Sequence, residues 1–347
     1  MINVFFALFT LFTILYFINI KNKTISNIIF VLCGIVLILV AGLREKGLDK
    51  DNYIYRGYWM TNNLKDLVEN SFILIRNFVK FDLGLKFQSF LLIYAFLGVT
   101  FKLISVKKLS PLIWGSLLVY FSHYFLLHEF TQIRIGVATG FLLLSLYYLS
   151  NKNYLVFYIF AAIAIFFHQS CFFIVLFPLI RNTEKHIKFY YWLVPAGYLL
   201  YFFNTYLNIN IPIPYLQERV EIYEKASESG FLKDEKTNVF NALFLIRIVI
   251  LNVLLFYSKK ISEHFPAVYL LVKIYAISLF TFLFLSKIAV FAFRTQELLG
   301  VVEIILIPSL AFIFPKKLRL YGVLLVWSIA LVLFLMDIFY VKLLIVK

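Results

Sequence analysis

The sequence predicts an all-α, polytopic integral membrane protein, and three observations carry that prediction. Of its 347 residues 63% are hydrophobic and only 15% charged, with a mean hydropathy of +0.90. That is too little polar surface to clothe a water-soluble body of this size. Aromatic residues reach 20%, with 41 Phe and 23 Tyr, a content suited to packing in lipid and at its interfaces. Apolar runs follow one another along the chain with short polar breaks; at about 20 residues per span, about twelve spans use most of the chain. No large water-soluble domain fits in the remainder, so residues 1–347 read as a single transmembrane domain.

Taken in order, the first run covers 2–20 and is read as a retained helix, not a signal peptide, because no small-residue cleavage site follows it. The next runs are 26–43, 87–105, 112–127, 133–150, 154–167 and 169–181, the last two being either two helices or one bent one. Runs at 189–204, 239–257, 267–286, 297–314 and 320–341 complete the set. Two longer polar stretches, 44–86 and 205–238, interrupt them. The first mixes eight basic with six acidic side chains, and its segment Phe72 to Phe81 alternates bulky apolar residues with Arg76 and Lys80, the pattern of an amphipathic helix in the membrane interface. The second carries Pro212, Pro214, Gly230 and a mixed-charge run, the composition of an exposed loop over a substrate.

The net charge of +15 comes from 33 Lys+Arg against 18 Asp+Glu. In a membrane protein that excess first reports topology, because cytoplasmic loops collect Lys and Arg. Lys21 and Lys23, Lys107 and Lys108, Lys152, Arg181 with Lys185 and Lys188, Lys259 and Lys260, and Lys316, Lys317 and Arg319 all fall on one side. That side is cytoplasmic, and 44–86 and 205–238 face outward. No basic run is interleaved with exposed aromatics, which excludes nucleic acid as a partner. Cys33 and Cys171 sit in apolar stretches and indicate neither a disulfide framework nor a thiolate metal site.

The orientation rule does not explain the polar residues it leaves on the outer side: Arg44, Asp49, Asp51, Arg56, His128, Glu129, Arg134, His168 and Arg294. An anion site near the outer leaflet does. In the run Arg44 to Tyr53, Gly47 permits a tight turn, Arg44 can face phosphate, and Asp49 and Asp51 can accept from sugar hydroxyls. The plainer alternative is a solvated helix-end turn. Arg134, at the outer end of its helix after Glu129 and Gln132, serves either an anion or interfacial snorkelling. His168 is either a hydrogen-bonded packing residue or a base.

Arg247 lies about 12 Å inside the run 239–257, where an unpaired arginine costs roughly 2.5–3.5 kcal/mol even on lenient insertion scales. Glu303 is the acidic partner expected for it, and a purely structural ion pair is the competing explanation. Arg294 and Glu297 stand three residues apart and would pair locally on a helix. The chain has no HExxH, Walker, GxSxG or CxxC signature, and a transferase working through metal held by paired aspartates is not expected. The inventory of arginines, a few carboxylates and one histidine suits a reaction with a good leaving group whose negative charge must be held.

Four clusters together resemble one family: Arg44-x-x-Gly47-x-Asp49-x-x-Asn52-Tyr53, Gln132-Ile133-Arg134-x-Gly136-x-Ala138, Phe167-His168-x-Ser170, and Phe293-Arg294 before the final helix pair. Their order and spacing look like the EpsG-type polysaccharide polymerases, relatives of the Wzy O-antigen polymerases of bacterial envelopes. The resemblance implies a GT-C-like fold in the bacterial inner membrane, and donor and acceptor glycans carried on undecaprenyl pyrophosphate at the outer face. It implies transfer of the growing glycan onto the next lipid-linked repeat unit, by a metal-independent glycosyltransferase.

On this reading Arg134, Arg294 and Arg247 hold the donor pyrophosphate, and a carboxylate or His168 orients or deprotonates the acceptor, with Asp49, Asp51, Glu129 and His168 all open as the base. Arg44, Asp49, Asp51, Tyr53, Arg56, Glu129, Gln132, Glu297 and Glu303 are expected to contact substrate. The expected partners are membrane lipids, the lipid-linked glycans and a chain-length regulator, with no cofactor and no metal. The rivals are a flippase, which needs charges along a path reaching both faces, an O-acetyltransferase, which needs a cytoplasmic acyl-donor path, and an O-antigen ligase, which shares nearly the same site chemistry.

Overall fold

The computed structural model describes all residues except 1, 19, 46, 50, 62–63, 65–67, 207–236 and 345–347. No strand forms among the described residues; one isolated bridge pairs Asp49 with Leu344. The chain divides into two compact units, one of residues 1–182, 260–268 and 303–347, the other of 183–259 and 269–302.

The first unit begins with α1 (Ile2–Phe17) and α2 (Lys23–Gly42), whose start is fixed by the Asn22 side chain accepting from the Thr24 and Ile25 amides. Helices α3 (Asn52–Met60) and α4 (Asn70–Asn77) occupy the polar stretch 44–86. They are followed by α5 (Phe87–Leu109), α6 (Ile113–Val119), α7 (Ile133–Ser150) and α8 (Tyr154–Phe167). Between α6 and α7 the chain runs on as a π-helical segment, Tyr120–Thr131, in which every residue is buried. Such wide turns are rare and gather at functional sites. Helices α5 and α7 approach closely at Gly140, where a Cβ would press on Phe101 and the Lys102 amide of α5, and a Cβ at Gly98 would collide with the Glu129 carboxylate of the π-helical segment.

The second unit carries α9 (Leu193–Tyr206), most of α10 (Ala242–Ser262) and of α11 (Val268–Phe284), and α12 (Ala289–Gly300). The chain then returns to the first unit with α13 (Glu303–Ser309) and α14 (Arg319–Leu335).

Five helical segments are long and apolar enough to cross a membrane, Lys23–Gly42, Phe87–Leu109, Ile133–Ser150, Ala242–Ser262 and Lys316–Tyr340, or six if Ala289–Gly300 and Glu303–Ile313 count as one span. The protein is multi-pass. The expected twelve runs are all helical in large part, yet several are shorter or tighter than a full α-helical span. The stretch 154–181 is two pieces: α8 ends at His168, which is extended (φ −154°, ψ 115°), and the chain resumes as a 3-10 helix, Gln169–Leu179. The run 297–314 breaks after Gly300, so Glu303 opens a new helix instead of lying six residues inside one.

Within 44–86 the described residues form α3, α4 and a π turn, Phe78–Asp82, and the amphipathic segment expected at 72–81 falls in the last two. Its polarity is arranged with the charge inward. Leu74, Phe78 and Phe81 are 62, 50 and 60% exposed, whereas Arg76 is buried and bonds the Trp59 and Thr61 carbonyls. Lys80 also donates to the Trp59 carbonyl, at 2.7 Å. The loop expected at 205–238 falls almost wholly outside the described residues.

Candidate functional site

Three elements of the first unit bring three charged or titratable side chains together. Glu69 precedes the first residue of α4, and its backbone carbonyl accepts from Phe72 N at 3.0 Å. The amino end of a helix favours a carboxylate there. Arg134 is the second residue of α7. His168 occupies the break after α8, held by its amide to Ala164 O and by its carbonyl to Cys171 N, both 2.9 Å. Glu69 Oε1 lies 2.6 Å from His168 Nδ1, and Glu69 Oε2 accepts from Arg134 Nη1.

Burial alone would raise the Glu69 carboxyl, but the His168 hydrogen bond and the Arg134 charge overcome it and hold the group at about 2, against an ordinary 4.5. Glu69 is therefore an anion. A carboxylate facing Nδ1 favours the tautomer with the proton on that nitrogen and a lone pair on Nε2. His168 Nε2 is buried and has no hydrogen-bond partner among the described residues. The side chains of Arg134, Glu69 and His168 are 17, 11 and 8% exposed, so the cluster is nearly but not fully closed. Below it, the Arg134 guanidinium sits 5.9 Å from the Phe72 ring centroid.

The Arg44 motif is different in kind. Gly47, read from the sequence as permitting a tight turn, is left-handed (φ +77°), and Asp49 comes back to Arg44. Arg44 Nε donates to Asp49 Oδ2 at 2.9 Å, Nη1 to Ala41 O and Glu129 O at 2.9 and 3.0 Å, and Nη2 to Phe130 O at 3.0 Å. Both side chains are fully buried. The guanidinium is a tie between the end of α2 and the end of the π-helical segment, in place of the exposed phosphate contact expected of it. Asp49 and Asp51 do stand in the spacing of a paired-aspartate metal motif, but Asp49 is given over to Arg44 while Asp51 is half-buried. Nearby, Tyr53 is 68% exposed, and Arg56 bonds Asn52 at 2.8 Å over the Phe87 ring.

Glu129, expected as a substrate contact or base, is spent inside the fold. Lys102 Nζ lies 2.6 Å from its Oε1 and 2.5 Å from Gly136 O, and Tyr120 Oη donates to the same carboxylate at 3.0 Å. Further along the π-helical segment, Tyr124 Oη donates to Glu303 at 2.9 Å, and His123 Nδ1 lies 2.7 Å from Asp337 Oδ2. His128 Nδ1 lies 3.2 Å from Thr139 Oγ1. Wide π turns thus project a row of polar side chains into the interior of the unit: Tyr120 bonds Glu129 within the segment, and His123, Tyr124, His128 and Glu129 each meet a partner from another element.

The profile of the EpsG family matches residues 27–344. The chain belongs to the EpsG family. It is 27% identical over 298 residues to the amylovoran biosynthesis protein AmsC of Erwinia amylovora, an alignment covering 80% of this chain and 77% of that protein. No solved structure matches it.

The second unit of this EpsG-family chain has its own polar centre. Arg247 is buried on α10, where its Nη1 donates to Gln296 Oε1 at 3.1 Å and its carbonyl accepts from Tyr275 Oη at 3.3 Å. Ser278 Oγ in turn donates to Gln296 O at 2.8 Å. Gln296 is thus a partner of Arg247 that the sequence reading missed. Arg294 is exposed and Glu297 half-buried, one turn apart on α12. Glu303 belongs to the other unit. Gln132, at the junction of the π-helical segment and α7, contributes its carbonyl to Gly136 N at 2.8 Å. Among the described residues no three His, Cys, Asp or Glu side chains converge in a way that could hold a metal ion.

Sequence reasoning missed Glu69 in this EpsG-family chain because it is one of six acidic residues in a stretch of mixed charge, with no pattern to single it out. Lys102, His123 and Asp337 carried a usable signal: each is an ionisable residue inside or at the end of an apolar run.

Proposed function

We propose that this EpsG-family protein polymerises undecaprenyl-pyrophosphate-linked repeat units into O-antigen or exopolysaccharide, as a GT-C-like, metal-independent glycosyltransferase of the inner membrane acting at the outer face. The relationship to an amylovoran biosynthesis protein supports the substrate class. The observation that carries the mechanism is the Glu69–His168 pair beside Arg134: an imidazole whose Nδ1 is fixed by a carboxylate and whose Nε2 has no partner among the described residues, next to a guanidinium.

In this mechanism His168 Nε2 takes the proton of the acceptor sugar hydroxyl while that oxygen attacks the anomeric carbon of the donor. The anomeric carbon–oxygen bond breaks, and its electrons leave with the lipid pyrophosphate. Glu69 stabilises the imidazolium and keeps the ring oriented. Arg134 holds negative charge as it develops on the leaving group; a guanidinium has five donors in a rigid fork, so bonding Glu69 through Nη1 does not exhaust it. This assigns the base to His168 over Asp49 and Glu129, both of which are committed to buried ion pairs.

Gene deletion followed by gel analysis of surface glycan tests the reading. Loss of the ladder with single repeat units retained supports a polymerase. Loss of all surface glycan points to a flippase or ligase, and an unchanged ladder with altered decoration to an acetyltransferase. Reporters fused after Lys108, Arg181, Lys260 and Arg319 should report cytoplasm and one at Asp51 the outer compartment; Asp51 and Lys108 on the same side would remove the outer-face site. In a purified assay chelator should leave activity intact, and abolition by chelator would overturn the metal-free chemistry.

A further inference from the structure

A second unpartnered polar atom lies in the same cluster. Tyr94, on α5, is 1% exposed, and its hydroxyl has no hydrogen-bond partner among the described residues. Its ring is enclosed by phenylalanines: Phe90 at 4.9 Å, Phe72 at 6.1 Å and Phe167 at 6.4 Å between centroids. Two of these belong to the site. Phe72 is the ring under Arg134, and Phe167 is the residue before His168. The Tyr94 hydroxyl is also within electrostatic range of both Arg134 and Glu69.

In a cage of this composition phenylalanine would satisfy packing, and the chain uses 41 of them. The tyrosine hydroxyl adds a buried polar group with nothing to bond, which is unfavourable for the resting protein. Such an atom calls for an explanation outside the fold.

Its chemistry complements that of the other orphan. The phenol is a donor, and His168 Nε2, with the proton on Nδ1, is an acceptor. A group that accepts from one and donates to the other needs a lone pair and a polar hydrogen, as water and a sugar hydroxyl both have, and the sugar hydroxyl is the one an acceptor substrate brings. A phosphate oxygen cannot donate to Nε2, and an ammonium cannot accept from the phenol.

We infer that Tyr94 Oη and His168 Nε2 form the two halves of a hydroxyl subsite that takes the acceptor sugar. The phenol donates to the hydroxyl oxygen and fixes its direction, and Nε2 receives the hydroxyl proton. The subsite rests on the polymerase reading for the identity of the hydroxyl's owner, and it assigns Arg134 to the anionic partner alone. Arg134 and Glu69 keep 17 and 11% of their side chains exposed.

The test compares Tyr94→Phe with the parent in membranes and in purified form, using as probe the lipid-linked repeat unit extracted from a strain lacking the gene. Removing an unpartnered hydroxyl should leave the melting temperature unchanged or raised. It should lower kcat/KM for polymerisation at least tenfold, and it should shrink the thermal shift produced by the probe. In combination with His168→Gln the loss should be smaller than the product of the single losses, because both side chains act on one hydroxyl.

A lowered melting temperature in Tyr94→Phe would show a structural bond to the phenol, and parental activity would show that substrate does not use it; either overturns the subsite. A combined loss equal to the product would separate Tyr94 from His168. If deletion of the gene leaves the glycan ladder unchanged, the polymerase reading falls on its own. If deletion abolishes the ladder and Tyr94→Phe restores it fully, only the subsite falls.

Discussion

Two arginines of the first unit, both in short polar motifs at helix ends, have opposite fates. Arg44 is fully buried, and its four hydrogen bonds go to Asp49 and to three backbone carbonyls. Arg134 is partly exposed and shares a carboxylate with a histidine whose outer nitrogen has no partner among the described residues. Charge, residue type and motif length do not separate the two. What separates them is saturation: a side chain whose donors are consumed by the fold holds the fold, and one set in an incomplete constellation is available for chemistry.

The largest effect expected from this comparison is on Arg44. Arg44→Leu leaves Asp49 charged, buried and unpaired, a change of about 3–5 kcal/mol for a broken buried pair. Little folded protein should reach the membrane, as read by abundance and by melting in detergent. Arg44→Lys should recover only part of it, since an ammonium cannot reproduce the fork. Parental abundance in Arg44→Leu would erase the distinction between the two arginines.

Arg134→Lys should behave in the opposite way. Abundance and melting should stay near the parent, while polymerisation falls by roughly 10²-fold, the effect of losing one preorganised charge contact in the transition state. Arg294→Lys is the corresponding measurement on the second unit, where the residue is exposed. Full activity in Arg134→Lys would return that side chain to interfacial snorkelling.

The smallest effect concerns acid. The Glu69 carboxyl is held at about 2, below its ordinary 4.5, so its contribution to stability is complete above pH 4.5 and is lost as pH falls toward 2. Melting temperature followed across that window should decline more steeply in the parent than in Glu69→Gln, which has no proton to gain. Parallel curves would mean that Glu69 is not held by His168 and Arg134.

Much of the fold was legible because hydropathy is a bulk property. The apolar runs and a helix at 72–81 both follow from counting. The lengths were less legible, because a break such as His168 and a 3-10 helix such as Gln169–Leu179 depend on tertiary contacts that an apolar run does not encode. The site was half legible. Arg134 and His168 stand out as polar residues at helix ends, whereas Glu69 is marked only by its contacts 65 and 99 residues away. Lys102 could have been found. It lies fifteen residues into α5, about 22 Å along the helix, and demanded a partner by the same reasoning applied to Arg247.

The Arg44 tie also bears on how such a chain can drift over evolutionary time. Three of its four acceptors are main-chain carbonyls, at Ala41, Glu129 and Phe130, and a carbonyl is supplied by any amino acid. The arginine reads the path of the backbone and ignores the letters written on it. Only Asp49 and the left-handed turn at Gly47 bind it to particular residue types, so the joint asks little of the sequence for the geometry it secures. A protein joined in this way can exchange most of the side chains around the joint, one at a time, and still deliver the end of the π-helical segment, and with it the first turn of α7, to the same place.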